Sequence, residues 1–231
     1  MGHQLREADR VADAQDAPAG SHKTRRRASE TALVIAAALV VAVTLFRIAE
    51  TTPRDSGLHI VSAVWTALAN DLAHGEFYRP NVSADGYGGT RYMPLHFVLH
   101  SLLIRAAGPD VPPQVPGYVI AFASIAGLTW GLYHIFRASG LRRRPAAACA
   151  VLWLATMSGQ YAATTIRGDL LAAALNVLGL ACCVSSQVRR SRGWLVSAAV
   201  FFVLAFSAKL TTVFGVAAAT GALVFGGRGK D

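Results

Sequence analysis

The chain has 231 residues, 53% of them hydrophobic and only 15% charged, with a net charge of +9. A soluble domain usually carries roughly 25% charged residues, so a water-soluble globule is excluded as the first reading. The basic residues stand in short clusters between apolar runs, which excludes nucleic acid as the implied partner and points to membrane topology.

Residues 1–30 alternate acidic, basic and polar groups and lack the apolar core and cleavage site of a signal peptide, so they read as a disordered cytoplasmic tail. A membrane-crossing helix needs about 20 apolar residues. The first such run, 32–49, follows the basic cluster "HKTRRR", which places the N-terminus in the cytoplasm. Residues 50–116 then form one extracytoplasmic loop, long enough to expect a function of it. Within it, Leu58, Val61, Trp65, Leu68 and Leu72 recur at helical spacing, with His59, Ser62, Thr66 and Asn70 opposite. This predicts an amphipathic helix on the membrane, with Asp55 or Ser56 at its N-cap and Gly75 at its C-cap.

The run "PLHFVLHSLLIRAAG" at 94–108 is short and starts with Pro94. If it does not span, fifteen of the 22 Lys and Arg face the cytoplasm and the other seven are scattered singly outside. If it spans, "RASGLRRR" and "QVRRSRG" face outward, against the positive-inside rule. It is therefore expected as an interfacial helix. Further spans are expected at 117–136, 145–164, 170–188, 194–208 and 210–227, the last two divided by Lys209. The fold class is all-α, a polytopic membrane protein of about six transmembrane helices in the cell membrane. Cys149, Cys182 and Cys183 lie in apolar stretches without CxxC spacing and read as small core residues. No internal repeat of fixed period is visible.

Chemistry is expected where ionisable residues meet the membrane border. Asp55 follows the first span; "GEFYRP", "YGGTRYMPLH", "TIRGDLL" and "FSAKLTT" come later, and on this topology Asp55, Arg91, Arg167, Asp169 and Lys209 share one side. Such groups mark a site by default, although Asp at a helix start also caps and long basic side chains snorkel to headgroups. Asp169 reads as the partner of Arg167 or a helix cap. Glu76 reads as an acceptor contact or a solvated loop residue. Tyr78, Tyr87 and Tyr92, with Trp65, suit sugar stacking or an interfacial aromatic belt. His96 and His100 stand at metal-ligand spacing, i and i+4, with no third ligand near in sequence. "NVS" at 81–83 matches a glycosylation sequon.

The order of these parts resembles the N-terminal half of a GT-C-type glycosyltransferase: one helix, an acidic residue just outside it, an amphipathic helix ending in "HGEFYRP", then "RYMPLHFVLHSLLIRAAG", "IRGDLLAAALNVLGL" and "VLAFSAKLTTVFGVAAA". The protein mannosyltransferases and lipid A aminoarabinose transferases are of this type, and the resemblance covers most of residues 32–227. It implies a polyprenyl-phosphate-linked sugar as donor, a lipid, protein or glycan as acceptor, and transfer outside the cytoplasm. It implies Asp55 as the general base, although Ser56 stands where many members carry a second acid. Leaving phosphate needs cations, for which Arg91, Arg167 and Lys209 are the candidates; Glu76, Tyr78 and Tyr92 are the candidate acceptor or sugar contacts. No cofactor is implied, and a divalent metal stays open. Members of the family continue for several more helices, so a truncated relative or one chain of a two-chain assembly is expected from the stop at "GGRGKD". Two other classes stand beside the enzyme: a non-catalytic subunit or carrier for lipid-linked sugars, and a small transporter, which Lys209 alone supports.

Overall fold

The computed structural model describes residues 19–51, 60–78, 82–83, 86–87 and 93–226. Its helices are α1 (Ala19–Thr51), α2 (Ile60–Ala73), α3 (Leu95–Ala107), α4 (Gln114–Ala138), α5 (Arg143–Val151), α6 (Met157–Ala163), α7 (Gly168–Arg189), α8 (Arg192–Ala208) and α9 (Val213–Gly226). Short 3-10 turns, Leu152–Ala155 and Leu210–Thr212, join α5 to α6 and α8 to α9. The only extended pairing among the described residues is a two-residue antiparallel ribbon, β1 (Val82–Ser83) with β2 (Gly86–Tyr87).

Among the described residues three helices are long and apolar enough to cross a membrane: Arg27–Thr51, Gln114–Ala138 and Gly168–Arg189. The shortest has 22 residues, which at 1.5 Å per residue is about 33 Å, against a hydrocarbon core of about 30 Å. This makes the chain a membrane protein by length and composition. The other three expected spans are built differently. The run 145–164 is divided by the Leu152–Ala155 turn, and α8 and α9, with 17 and 14 residues, are shorter. At the other end, α1 starts at Ala19, so residues 19–30, expected as tail, belong to the helix.

The helices form a row in which α1 packs on α5, α5 on α4, α4 on α7 and α7 on α8. Small residues make the close approaches: Ala146, Ala148 and Ala150 of α5, Ala172 and Ala174 of α7, and Ala198 and Ala205 of α8 are all buried. Lipid tails are as apolar as leucine, so helices in a membrane associate through such tight small-residue packing. Beside this row, α2 and α3 form a pair capped by α4, with Trp65, Ala69, Phe97, Tyr118 and Ile166 as its core.

α2 turns inward the expected apolar stripe, with Val61, Leu68 and Leu72 packed on the Trp65 core, and buries part of the polar face as well. Ser62, Trp65, Thr66 and Ala69 are buried, while Ile60 and Val64 are exposed. The reason is a distant partner: Ser62 Oγ accepts the Ile166 N–H at 2.9 Å. A buried backbone donor must be satisfied, and Ser62 is drawn inward to satisfy it. The predicted end of α2 holds its place, since Gly75 takes φ +98 and closes onto Leu72 O.

Candidate functional site

The segment from Thr164 to Asp169 builds the site. After α6 ends, Thr165 Oγ1 donates to Tyr161 O at 2.8 Å and the Ile166 N–H is held by Ser62, so the backbone leading into Arg167 is fixed. Arg167 is extended, at φ −165 and ψ 149, and α7 starts immediately after it at Gly168. Gly168 is required there by space: a Cβ on it would stand 2.7 Å from the Trp65 ring. This close approach brings the α7 terminus against the α2–α3 core.

Asp169 lies in the first turn of α7, where a carboxylate complements the positive end of the helix. It accepts Arg167 Nε at 2.6 Å and Nη2 at 2.5 Å on Oδ2, and Lys209 Nζ on Oδ1. The Arg167 guanidinium also lies over the Tyr161 ring, 5.1 Å from its centroid, where the ring's quadrupole attracts a cation. Lys209 reaches Asp169 because the apolar run breaks at Lys209. There α8 ends, Lys209 is extended, and Asn176 Nδ2 of α7 donates to Thr212 O at 3.0 Å, tying the following turn to α7.

These groups open onto a cavity of about 380 Å³ walled by Leu128, Trp153, Tyr161, Arg167, Asp169 and Lys209. Two cations and one carboxylate leave it a net charge of +1. All three side chains are partly open to solvent, from 26% for Arg167 to 46% for Lys209. The arrangement can hold a singly charged anion beside aromatic walls, with Arg167 and Lys209 as donors.

Behind the cluster stand His96 and His100, both fully buried. His100 Nε2 donates to Pro113 O at 2.8 Å, which leaves Nδ1 as the acceptor, without a partner. Neither ring nitrogen of His96 has one; its ring stands edge-on to Trp65 with centroids 5.0 Å apart. Burial, reinforced by His100, pushes the His96 pKa down to about 3, with the Asp169 carboxylate opposing. His100 is likewise lowered by burial. Among the described residues no group of three or more His, Cys, Asp or Glu side chains gathers at metal-binding distance.

The other expected residues fare unequally. Arg167 and Lys209 meet at one carboxylate. Trp65, expected at the border or on a sugar, is buried and stacked on Phe97 at 4.7 Å. Tyr78 packs edge-on to Phe97 at 6.1 Å as part of the same core. Glu76 is exposed just beyond α2. Asp55, Arg91 and Tyr92 lie outside the described residues. Sequence reasoning missed Ser62, Tyr161, Trp153 and Asn176. The polar interruption "TMSGQ" at 156–160 is the one local signal of a break before Tyr161.

No family model, curated protein or solved structure matches the chain.

Proposed function

We propose that the chain is a GT-C-type glycosyltransferase that takes a sugar from a polyprenyl-phosphate donor and passes it to an extracytoplasmic acceptor. The observation that carries this reading is the convergence of Arg167 and Lys209 on Asp169 at the mouth of an aromatic-walled cavity. A polyprenyl-phosphate sugar is a phosphodiester with one negative charge, and the cluster's net charge is +1. When the bond from the anomeric carbon to the phosphate oxygen breaks, the leaving phosphate gains a second negative charge. Arg167 and Lys209 then stabilise it, as cations held in place by Asp169 at the mouth of the cavity. Arg91 is the third candidate phosphate contact, and Glu76, Tyr78 and Tyr92 are candidate acceptor or sugar contacts.

Asp55 serves as the base. It takes the proton of the acceptor hydroxyl as that oxygen attacks the anomeric carbon. Asp169 does not suit this role, since both its oxygens are held by cations. In this reading the N-terminus is cytoplasmic, in keeping with the clustered Arg and Lys, and the cluster faces outward.

The test is transfer from a panel of radiolabelled polyprenyl-phosphate sugars to membrane-derived acceptors by the purified chain in lipid. Wild type is expected to transfer and Asp55→Asn to bind donor without transferring. Donor binding with no transfer by wild type, unchanged in Asp55→Asn, would replace this reading with a non-catalytic carrier or subunit.

A further inference from the structure

A second cavity, independent of the site above, runs along the surface between α1 and α4 with α5 as its floor. Its volume is about 1010 Å³, and its walls include Leu45 and Ile48 of α1, Phe122 and Trp130 of α4, Ala147 of α5, and Leu154. The lining from Phe122 to Tyr133 on α4 corresponds to a length of about 16 Å at 1.5 Å per residue.

The groove is apolar because its hydroxyls are turned into the protein. Thr44 Oγ1 donates to Val40 O and accepts Gln160 Nε2, each at 2.7 Å. Thr129 Oγ1 accepts Trp153 Nε1 at 3.2 Å. What faces the groove is methyl and ring surface, suited to hydrocarbon.

One end is different. Arg143 and Arg144 line the groove there, both exposed and neither paired with a carboxylate among the described residues. This end is remote from the Arg167 cluster. Gly117 of α4 abuts Ile166, and Gly131, further along α4, abuts Val177 of α7. The two helices therefore run parallel, with Arg167 at their common start and Arg143 beyond the end of α4.

We infer that this groove binds an anionic glycerophospholipid, its acyl chain along Leu45, Phe122 and Trp130 and its phosphate between Arg143 and Arg144. Hydrocarbon complements the walls and a phosphate complements the paired guanidinium groups. The headgroup lies at the opposite end of the spans from the Arg167–Lys209 cavity, so this lipid occupies the other leaflet from the proposed donor and is a different molecule.

Trp130 is 60% exposed and reports on the groove directly. The full chain is reconstituted in phosphatidylcholine vesicles containing a minor fraction of phosphatidylglycerol, with one or the other lipid dibrominated on its acyl chains. The fluorescence difference between wild type and Trp130→Phe isolates Trp130 from the other three tryptophans. Phosphatidylglycerol is expected to quench Trp130 roughly thirtyfold beyond its mole fraction, as two arginines beside one phosphate imply. The excess is expected to disappear in R143Q/R144Q and also in Ala147→Phe, which fills the groove and leaves both charges in place. Ala147 is exposed, and unchanged helicity in each variant confirms its fold.

Equal quenching by the two lipids in wild type overturns the inference. An excess that survives Ala147→Phe also overturns it, since it reveals diffuse attraction to a basic cluster. Displacement by polyprenyl phosphate, but not by unbrominated phosphatidylglycerol, reassigns the groove to the carrier lipid. A Trp130 that no lipid quenches, with copies crosslinking through the groove, reassigns it to a second chain.

Discussion

Ser62 on α2 and Ile166, 104 residues later, are joined by a buried hydrogen bond of 2.9 Å from the Ile166 N–H to the Ser62 hydroxyl. The bond fixes the residue immediately before Arg167, so the orientation of a charged group is set from another part of the chain. Ser62→Ala leaves a buried N–H unsatisfied, at a cost of roughly 1–3 kcal/mol. A matching fall in thermal stability in detergent, with weaker donor binding, is expected. Unchanged stability would show that the N–H finds another acceptor.

Lys209 is the more exposed member of the cation pair on Asp169. In Lys209→Met, Arg167 and Asp169 remain as a neutral pair and the cavity loses its net charge. Donor affinity is expected to fall about tenfold, in line with the roughly 1.5–3 kcal/mol of a charged hydrogen bond. Stability is expected to change little, because exposed ion pairs contribute little. Equilibrium binding of a polyprenyl-phosphate sugar, with the melting temperature measured on the same samples, separates the two effects.

His96 gives the fold a dependence on acid. Its pKa is about 3 when folded and 6.5 when exposed on unfolding. Between those values the unfolded chain carries a proton that the folded chain refuses, so stability rises with pH through this window and is level above it. The slope due to His96 is about 1.4 kcal/mol per pH unit. His100 adds to it in the same direction. His96→Phe removes two nitrogens that have no partner, so it is expected to be neutral or stabilising near pH 7 and to flatten the acid limb. Melting curves taken from about pH 4 to pH 7 check both points; an unaltered limb would assign it to other groups.

Gly168 stands between Arg167 and Asp169 because the Trp65 ring occupies the space a side chain needs. Gly168→Ala forces the indole away from its stack on Phe97, an overpacking cost of about 1–3 kcal/mol. The Trp65 emission spectrum is expected to shift as the ring moves. An unmoved spectrum with native stability would mean that the start of α7 shifts instead.

The sequence makes the long helices legible because run length alone decides them: α1, α4 and α7 each contain a continuous apolar stretch. The break at Lys209 is legible for the same reason, a single charge in an apolar run. The division of 145–164 is only hinted at, since Thr156, Ser158 and Gln160 interrupt the run but are each tolerated singly in a membrane helix. What permits the break is Gln160, whose Nε2 donates to Leu154 O as well as to Thr44. The bond between Ser62 and Ile166 and the meeting of Lys209 with Asp169 are illegible for a common reason. Each is set by a partner far along the chain, which local periodicity does not register.

The 3-10 turn after α5 puts consecutive side chains on opposite sides: Trp153 borders the polar cavity and Leu154 the apolar groove. A partition one turn thick thus separates the charged cavity from the groove, pinned by the bond from Trp153 to Thr129. Movement of that turn would reshape both chambers together.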